Sequence, residues 1–350
     1  MLLQGAFGPG SLGYTLYYAT NFVFTGLAAA LAFQARLFNI GAEGQATLGG
    51  LGIALACLSL EAVLPGWLVA LVAIAGAALF GAAWAVVPGW LQAYRGSHIV
   101  ITTIMFNFLA SGLMVWLLSG PMMRPGQGSP QTRLFDEAVR LPAVHDLVRA
   151  LGFEAARSPL NLSFLFALIA CAAVWVLIWR TKFGYALRAI GHSEEAARYA
   201  GIPVRRAVVA AMALSGALAG CMALNEVLGV QHKLVLNFSA GYGFTGIAVA
   251  LMGRNHPLGI LAAGLLFGAL FQGGAELLMG RNHPLGILAA GLLFGALFQG
   301  GAELNFEFET ITHELALVIQ GLVILFSGAL AYMFTPWLAR LLLARSAAHA

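Results

Sequence analysis

The feature that most constrains this chain is a succession of long apolar runs with almost no charged residues. The runs are Leu16–Phe33, Thr47–Leu60, Trp67–Val87, Ile99–Leu118, Leu162–Trp179, Ala207–Leu228, Tyr242–Met252, Leu258–Phe271, Leu285–Phe298 and Leu315–Tyr332. A helix needs about 20 mostly apolar residues to cross the hydrocarbon core of a bilayer. Only 9% of the residues are charged, against about 25% in a typical soluble domain. The sequence therefore predicts an all-α, polytopic transmembrane helical bundle of about 9–10 spans, several of them broken by glycine.

The distribution of basic residues predicts the orientation of the chain. Residues 180–206 contain Arg180, Lys182, Arg188, Arg198, Arg205 and Arg206. Loops rich in arginine and lysine stay on the cytoplasmic side, so this segment is expected inside and the long loop 120–161 outside. The formal charge of +4 is then explained by loop arginines. No basic tract of the nucleic-acid-binding type is present, and no nucleic-acid partner is expected.

A short helix is predicted within the basic loop. Ser193 is a good N-cap, and Glu194 and Glu195 follow in the first turn, where carboxylates favour the helix dipole. Gly201 and Pro203 end the helix. Small residues at Ala196, Ala197, Ala200 and Gly201 would allow a partner protein to approach closely, with charges at the rim. The pattern fits a docking helix and an ordinary solvated loop helix equally well.

Two glycine-rich stretches place polar residues inside apolar runs. The first, residues 38–50, carries Asn39, Glu43 and Gln45, and the second, residues 237–259, carries Tyr242 and aromatic neighbours. Broken apolar segments of this kind often line the central cavity of transporters. We predict a translocation path lined by Asn39, Glu43, Gln45, Asn107, Phe238, Tyr242 and Phe244. Asn225 and Glu226 are further buried polar candidates, with interhelical hydrogen bonding as the alternative role.

Patterns typical of enzymes are absent from the sequence. There is no GxxxxGK[ST] loop, no HExxH and no GxSxG, and the histidines are scattered. Cys57, Cys171 and Cys221 all lie inside apolar runs without CxxC spacing, so they are expected to pack as small apolar residues. We predict that the chain is not an enzyme and holds neither a metal nor a cofactor.

The sequence contains an exact tandem duplication, which conflicts with the predicted membrane topology. Residues 278–304 repeat residues 251–277 letter for letter. If both copies crossed the membrane, Arg281 and the arginines near the C-terminus, Arg340 and Arg345, would lie outside, against the positive-inside rule. We expect both copies to be helical and the second to be poorly accommodated.

Several motifs together resemble the permeases of ABC importers for simple sugars and nucleosides, within the branched-chain amino acid and ribose permease group. They are NIGAEGQ (39–45), TTIMFN (102–107), AIGHSEEAARYAGI (189–202), FSAGYGFTGIAVALMGRNHPLG (238–259) and ELALVIQGLVILF (314–326). The resemblance covers nearly the whole chain. Members usually begin with a further spanning helix ahead of the stretch that here starts at Leu2, and they lack the duplication.

The resemblance implies a single transmembrane permease domain, residues 1–350, in a bacterial inner membrane. Its partners would be a homologous second permease, a cytoplasmic ATPase that binds the ATP, an extracytoplasmic substrate-binding protein and the lipid bilayer. The coupling helix that seats in the ATPase would comprise Glu194, Glu195, Ala196, Ala197, Arg198, Tyr199, Ala200 and Gly201.

The expected function is therefore import of nucleosides or simple sugars, driven by the partner ATPase. An ion-coupled secondary carrier or a channel for a small polar solute is the alternative. Aromatic residues near the predicted path favour nucleosides slightly over sugars, because a nucleoside adds a flat ring to a hydroxyl-rich sugar.

Overall fold

The computed structural model describes residue 8 and residues 10–123, 128–150, 152–153 and 156–280, with side chains to residue 273. Its α-helices are α1 (Ser11–Phe33), α2 (Ala42–Leu60), α3 (Gly66–Arg95), α4 (Ile99–Ser119), α5 (Val144–Ala150), α6 (Ser163–Arg180), α7 (Lys182–His192), α8 (Glu194–Tyr199), α9 (Val204–Cys221), α10 (Tyr242–Met252) and α11 (Pro257–Gly280). A 3₁₀ turn spans Glu137–Val139, and a π-helix spans Leu224–Gln231. Each of the first eight predicted apolar runs is helical. The last two runs and the second copy of the duplication lie outside the described residues.

Five helices in the described part of the chain are long and apolar enough to cross a membrane. They are α1, α3, α4, α6 and the continuous helix from α9 through the π-helix. The described residues form helices and no β-strand. Both observations confirm an all-α, polytopic bundle. The shorter α10 begins and ends where the sequence predicts, at Tyr242 and Met252.

Helix α1 lies at the centre of the bundle. In its most apolar window 83% of the residues are buried, against 28% in α3, α4 and α6. The outer helices expose many apolar side chains, among them Leu71, Leu79, Ile101, Phe108, Trp116, Leu165, Ile169 and Val176. A surface of this kind is stable only against lipid, since a soluble protein rarely exposes such a large apolar area. The protein is a multi-pass membrane protein on this evidence.

Helices α3 and α9 approach each other through glycines. A Cβ atom on Gly216 would collide with the Gly81 carbonyl group, and a Cβ on Gly220 would collide with the carbonyl of Ala77. Gly216 and Gly220 are one helical turn apart on α9, as in the small-xxx-small pattern of membrane helices. Small residues thus replace hydrophobic burial as the means of close packing, because lipid is as apolar as the side chains themselves.

Helix α10 begins at the depth of the middle of α1. The Gln34 side chain donates a hydrogen bond to the Asn255 carbonyl, so the end of α1 and the end of α10 lie at the same level. At its other end, the Tyr242 ring packs edge-on against Phe22 in the middle of α1, with centroids 5.5 Å apart. Helix α10 therefore covers only part of the membrane thickness. This agrees with the predicted glycine break in residues 237–259.

The segment between α4 and α6 is folded rather than extended. It contains the 3₁₀ turn and α5, and isolated β-bridges join Gln131 to Val235 and Ala143 to Asn161. Arg133 forms an ion pair with Glu61, at the end of α2. These contacts tie the loop to one end of the bundle, and α7 and α8 lie at the other end, which we term the α8 end.

Candidate functional site

The carboxylate of Glu43 joins the starts of two helices. Glu43 lies in the first turn of α2, and its two carboxylate oxygens accept hydrogen bonds from the backbone N–H groups of Gly241 and Gly243, at 2.9 and 2.8 Å. Those N–H groups belong to the first turn of α10, whose N-cap Gly241 has a left-handed φ of 78°. A negative charge at a helix N-terminus is favoured by the unpaired N–H groups and the helix dipole. Glu43 therefore stabilises the N-terminus of α10, which begins at the glycine break.

Close approach of the two backbones at this point depends on Gly243. A Cβ atom on this residue would collide with the backbone of Glu43 and Ala42. The glycine pattern in residues 237–259 thus has a physical reason, since the carboxylate reaches the α10 N–H groups only when the backbones nearly touch.

Three of the predicted path residues form a buried hydrogen-bonded cluster beside Glu43. Asn39, which is 2% exposed, donates to Gln45 Oε1 at 3.0 Å and to Ser215 Oγ at 2.9 Å. Asn107 accepts from the Gly44 N–H at 2.8 Å and donates to the Ile40 carbonyl at 3.0 Å. These bonds hold the turn before α2 against α4 and α9. The structure brings Asn39, Gln45, Asn107 and Glu43 together, as the sequence predicts, while their facing a translocation path stays a prediction.

The three predicted aromatic residues do not share one environment. Phe238 is buried against Gly50 of α2, and Tyr242 is buried against Phe22. Phe244 is 42% exposed, because residues two apart on a helix point about 200° apart. Tyr242 and Phe244 therefore do not form the two sides of one stacking site for a flat ring in this conformation.

A second buried polar centre surrounds Glu226 on the π-helix. The Tyr17 hydroxyl and the Asn21 side-chain amide both donate to Glu226 Oε1, at 2.5 and 2.7 Å. Glu226 is only 4% exposed. A buried carboxyl group in a membrane is costly unless it is hydrogen-bonded, and here two donors from the central helix satisfy it. π-Helical turns are frequent at functional sites.

The neighbouring Asn225 extends this centre to α6. Its side chain donates to Asn21 Oδ1 at 2.8 Å and accepts from Asn161 Nδ2 and Ser163 Oγ, both at 2.9 Å. The sequence indicated Asn225 and Glu226 but not their partners. Tyr17, Asn21 and Ser163 could have been recognised as polar residues within apolar runs, whereas Asn161 precedes its run and carries no such signal.

The predicted loop helix is present with the predicted caps. Helix α8 spans Glu194–Tyr199, and the Ser193 side chain accepts a hydrogen bond from the Ala196 N–H at 3.2 Å. Gly201 follows with a left-handed φ of 78°, which ends the helix. Arg198 pairs with Glu194 one turn away, at 2.6 Å. The sequence did not predict α7, which precedes α8 and begins at Lys182 after the capping residue Thr181.

The side chains of α8 are exposed, with one exception. Ala197 is buried against the chain itself, so it attaches the helix to the bundle and does not face outward with the other small residues. Tyr199 is 95% exposed. A fully exposed tyrosine is unusual unless a partner covers it, since tyrosine is enriched at binding hot spots.

Within the described residues, no group of three or more His, Cys, Asp or Glu side chains is placed to hold a metal ion. Cys57 and Cys171 are buried as free thiols, and Cys221 is partly buried.

The family of branched-chain amino acid transport system permease components matches residues 11–279 of this chain. The chain belongs to that family. The permease is 34% identical, over 256 residues, to a glucose ABC transporter permease protein of Haloferax volcanii, covering 73% of this chain and 67% of the relative. It is 33% identical, over 271 residues, to a guanosine ABC transporter permease protein of Bacillus subtilis, covering 77% and 75%. A nucleoside ABC transporter permease protein of Lactococcus lactis is also 33% identical, over 266 residues, covering 74% and 71%.

These relatives confirm that the chain is an ABC importer permease of the simple sugar and nucleoside type. Its relatives are transport permeases, so the permease is not an enzyme. The family and the apolar helices together confirm a multi-pass location in the membrane.

Proposed function

We propose that the permease imports nucleosides or simple sugars and that a separate ATPase subunit drives the import. The named substrates of the similar proteins are glucose, guanosine and nucleosides, and all of these are hydroxyl-rich. Nucleosides are favoured because two of these three relatives carry the word guanosine or nucleoside in their names. The permease itself binds no ATP in this proposal and needs no cofactor.

The observation that carries the proposal is the capped helix α8 with its exposed Tyr199. We assign the α8 end to the cytoplasm, because most of its charged side chains are basic. Among the described residues these are Arg36, Arg95, Arg180, Lys182, Arg188, Arg198, Arg205, Arg206 and Arg254. Cytoplasmic loops carry such an excess. Helix α8 then projects towards the cytoplasmic ATPase, with Tyr199 as the anchor and Glu194, Glu195 and Arg198 at the rim.

The loop 120–161 then faces the outside, where a substrate-binding protein would deliver its ligand. A homologous second permease would complete the transporter in a bacterial inner membrane. The translocation path would run past the break between α2 and α10, where Glu43 holds the α10 N-terminus. Asn39, Gln45, Asn107, Phe238, Tyr242 and Phe244 lie around this break, and their exposure to substrate would come with a change of conformation.

The test is uptake of labelled guanosine and glucose by cells that carry the whole operon. Tyr199→Ala is expected to abolish uptake and to release the ATPase on co-purification, because an anchoring tyrosine contributes about 2 kcal/mol or more. The matched control is Tyr185→Ala, which removes an exposed tyrosine from the neighbouring helix α7. Normal uptake by Tyr199→Ala, or an equal loss in both variants, would contradict docking through α8.

A second arm separates this proposal from an ion-coupled carrier or a channel. Inactivating the ATPase should stop uptake while the ion gradients remain intact. Uptake that continues without ATP hydrolysis and stops when the gradients collapse would overturn the proposal.

A further inference from the structure

A groove of about 310 Å³ opens between α3 and α9 at the α8 end. Val209, Ala210 and Ala213 of α9 form an apolar floor, and Trp90 and Tyr94 of α3 form the aromatic side. The two rings stack with centroids 6.0 Å apart and 25° between their planes. They are 41% and 44% exposed. The groove is separate from both polar centres. Its Tyr94, together with Arg205, also lines a neighbouring cavity that includes Glu194 and Arg198 of helix α8.

Arginines surround the mouth of the groove. Arg206 lines it directly. The Arg95 guanidinium lies 5.5 Å from the Trp90 ring centre, and that of Arg205 lies 5.6 Å from the Tyr94 ring centre. None of the described lining residues is acidic. Arg95 is the last residue of α3, and Arg205 and Arg206 lie in the first turn of α9. The positive charges therefore form a rim beside the apolar floor.

We propose that this groove binds an anionic phospholipid. Arg95, Arg205 and Arg206 would hold its phosphate, and an acyl chain would lie along the floor from Val209 to Ala213. Arginine is suited to phosphate because its planar guanidinium donates two hydrogen bonds in parallel.

The position of the groove favours a lipid over a soluble anion. Tryptophan and tyrosine concentrate at the interface between membrane and water, and basic pockets between helices there attract anionic headgroups. The floor runs four residues, or about 6 Å, along α9 away from the arginines. A free phosphate would use the charges and leave this apolar surface empty.

Native mass spectrometry of the full chain in detergent tests the headgroup. Dioleoyl phosphatidylglycerol is expected to bind at least tenfold more tightly than dioleoyl phosphatidylcholine. Arg206→Gln should weaken phosphatidylglycerol binding about fivefold, the value for one basic residue near an anionic surface. The matched control is Arg180→Gln, since Arg180 also lies over a ring, 5.2 Å from that of Trp175, but lines no part of this groove. Equal binding of the two lipids, or an equal loss in both variants, would overturn the proposal.

A second variant tests the apolar floor without changing any charge. Ala213→Phe should weaken dioleoyl phosphatidylglycerol and leave the short-chain dihexanoyl lipid unaffected. Retained binding of the short-chain lipid also shows that the variant is folded. Unchanged binding of the long-chain lipid by Ala213→Phe, or displacement of the lipid by millimolar inorganic phosphate, would show a phosphate site rather than a lipid site and would refute the proposal.

Discussion

Glu43 Oε2 accepts the backbone N–H of Gly243 at 2.8 Å, across 200 positions of sequence. This bond and its twin to Gly241 fix the start of α10 against the start of α2. At the start of α10, Gly243 is buried and Gly241 is half-buried, and the first N–H groups of a helix have no partner within the helix. One carboxylate therefore supplies what solvent supplies at an ordinary helix end.

Replacing Glu43 should destabilise the permease in proportion to the acceptors lost. Glu43→Gln keeps one oxygen and should cost about 1–2 kcal/mol. Glu43→Ala leaves the N–H of the buried Gly243 unpaired, at about 1–3 kcal/mol, and that of the half-buried Gly241 at less. Thermal unfolding of the purified chain measures both. Glu194→Gln removes a carboxylate from an exposed ion pair and is expected to change stability by only a few tenths of a kcal/mol. A Glu43→Ala variant as stable as Glu194→Gln would refute the capping role.

Glu226 is expected to act as a hydrogen-bond acceptor rather than as a carrier of charge. Glu226→Gln keeps the oxygen that Tyr17 and Asn21 contact, so stability should fall by about 1 kcal/mol or less and uptake should stay within twofold. Glu226→Met strands both donors and should cost about 2–6 kcal/mol. Loss of uptake in a stable Glu226→Gln variant would instead indicate that the carboxyl group moves a proton or cation.

A double-mutant cycle can test the same centre. Tyr17→Phe combined with Glu226→Met should be less destabilising than the sum of the single variants, by about 1–2 kcal/mol, because Tyr17→Phe removes the hydroxyl donor that Glu226→Met alone leaves unpaired. Strict additivity would show that the two side chains do not interact.

Adding a methyl group at the contact between α3 and α9 should destabilise the permease. Gly216→Ala places a Cβ against the Gly81 carbonyl, and separating the helices should cost about 1–3 kcal/mol. Gly112 provides the control, since a Cβ on this glycine of α4 meets no atom within 4 Å. Gly112→Ala should raise stability by about 0.5–1 kcal/mol through helix propensity. Similar melting temperatures for the two variants would contradict glycine-mediated packing.

The Ser193 cap should control the order of α8. Ser193→Ala removes the acceptor for the Ala196 N–H and should cost about 1 kcal/mol, a large share for a helix of six residues. Hydrogen exchange of residues 194–201 should become faster and uptake should fall. Ser193→Asp restores an acceptor and should behave as the parent. Unchanged exchange in Ser193→Ala would mean that contacts of Ala197 alone hold the helix.

The sequence by itself determined the local structure of this protein. Apolar runs became helices because a membrane leaves the backbone no other way to satisfy its hydrogen bonds. The caps of α8 and the glycine break before Tyr242 lie within a few residues of their causes, so they could be predicted. The family motifs pointed to a permease of the importer type.

Only the tertiary structure decided which elements meet. All the apolar runs look alike, and composition does not show that α1 is central while α3, α4 and α6 face lipid. The partners of Glu43 and Glu226 lie about 200 positions away, so no local pattern reveals that these carboxylates are already hydrogen-bonded. The opposite environments of Tyr242 and Phe244 likewise follow from the rotation of α10 about its axis. Neighbouring helices set that rotation, because the energy of an apolar helix in lipid depends little on which apolar face is turned inward.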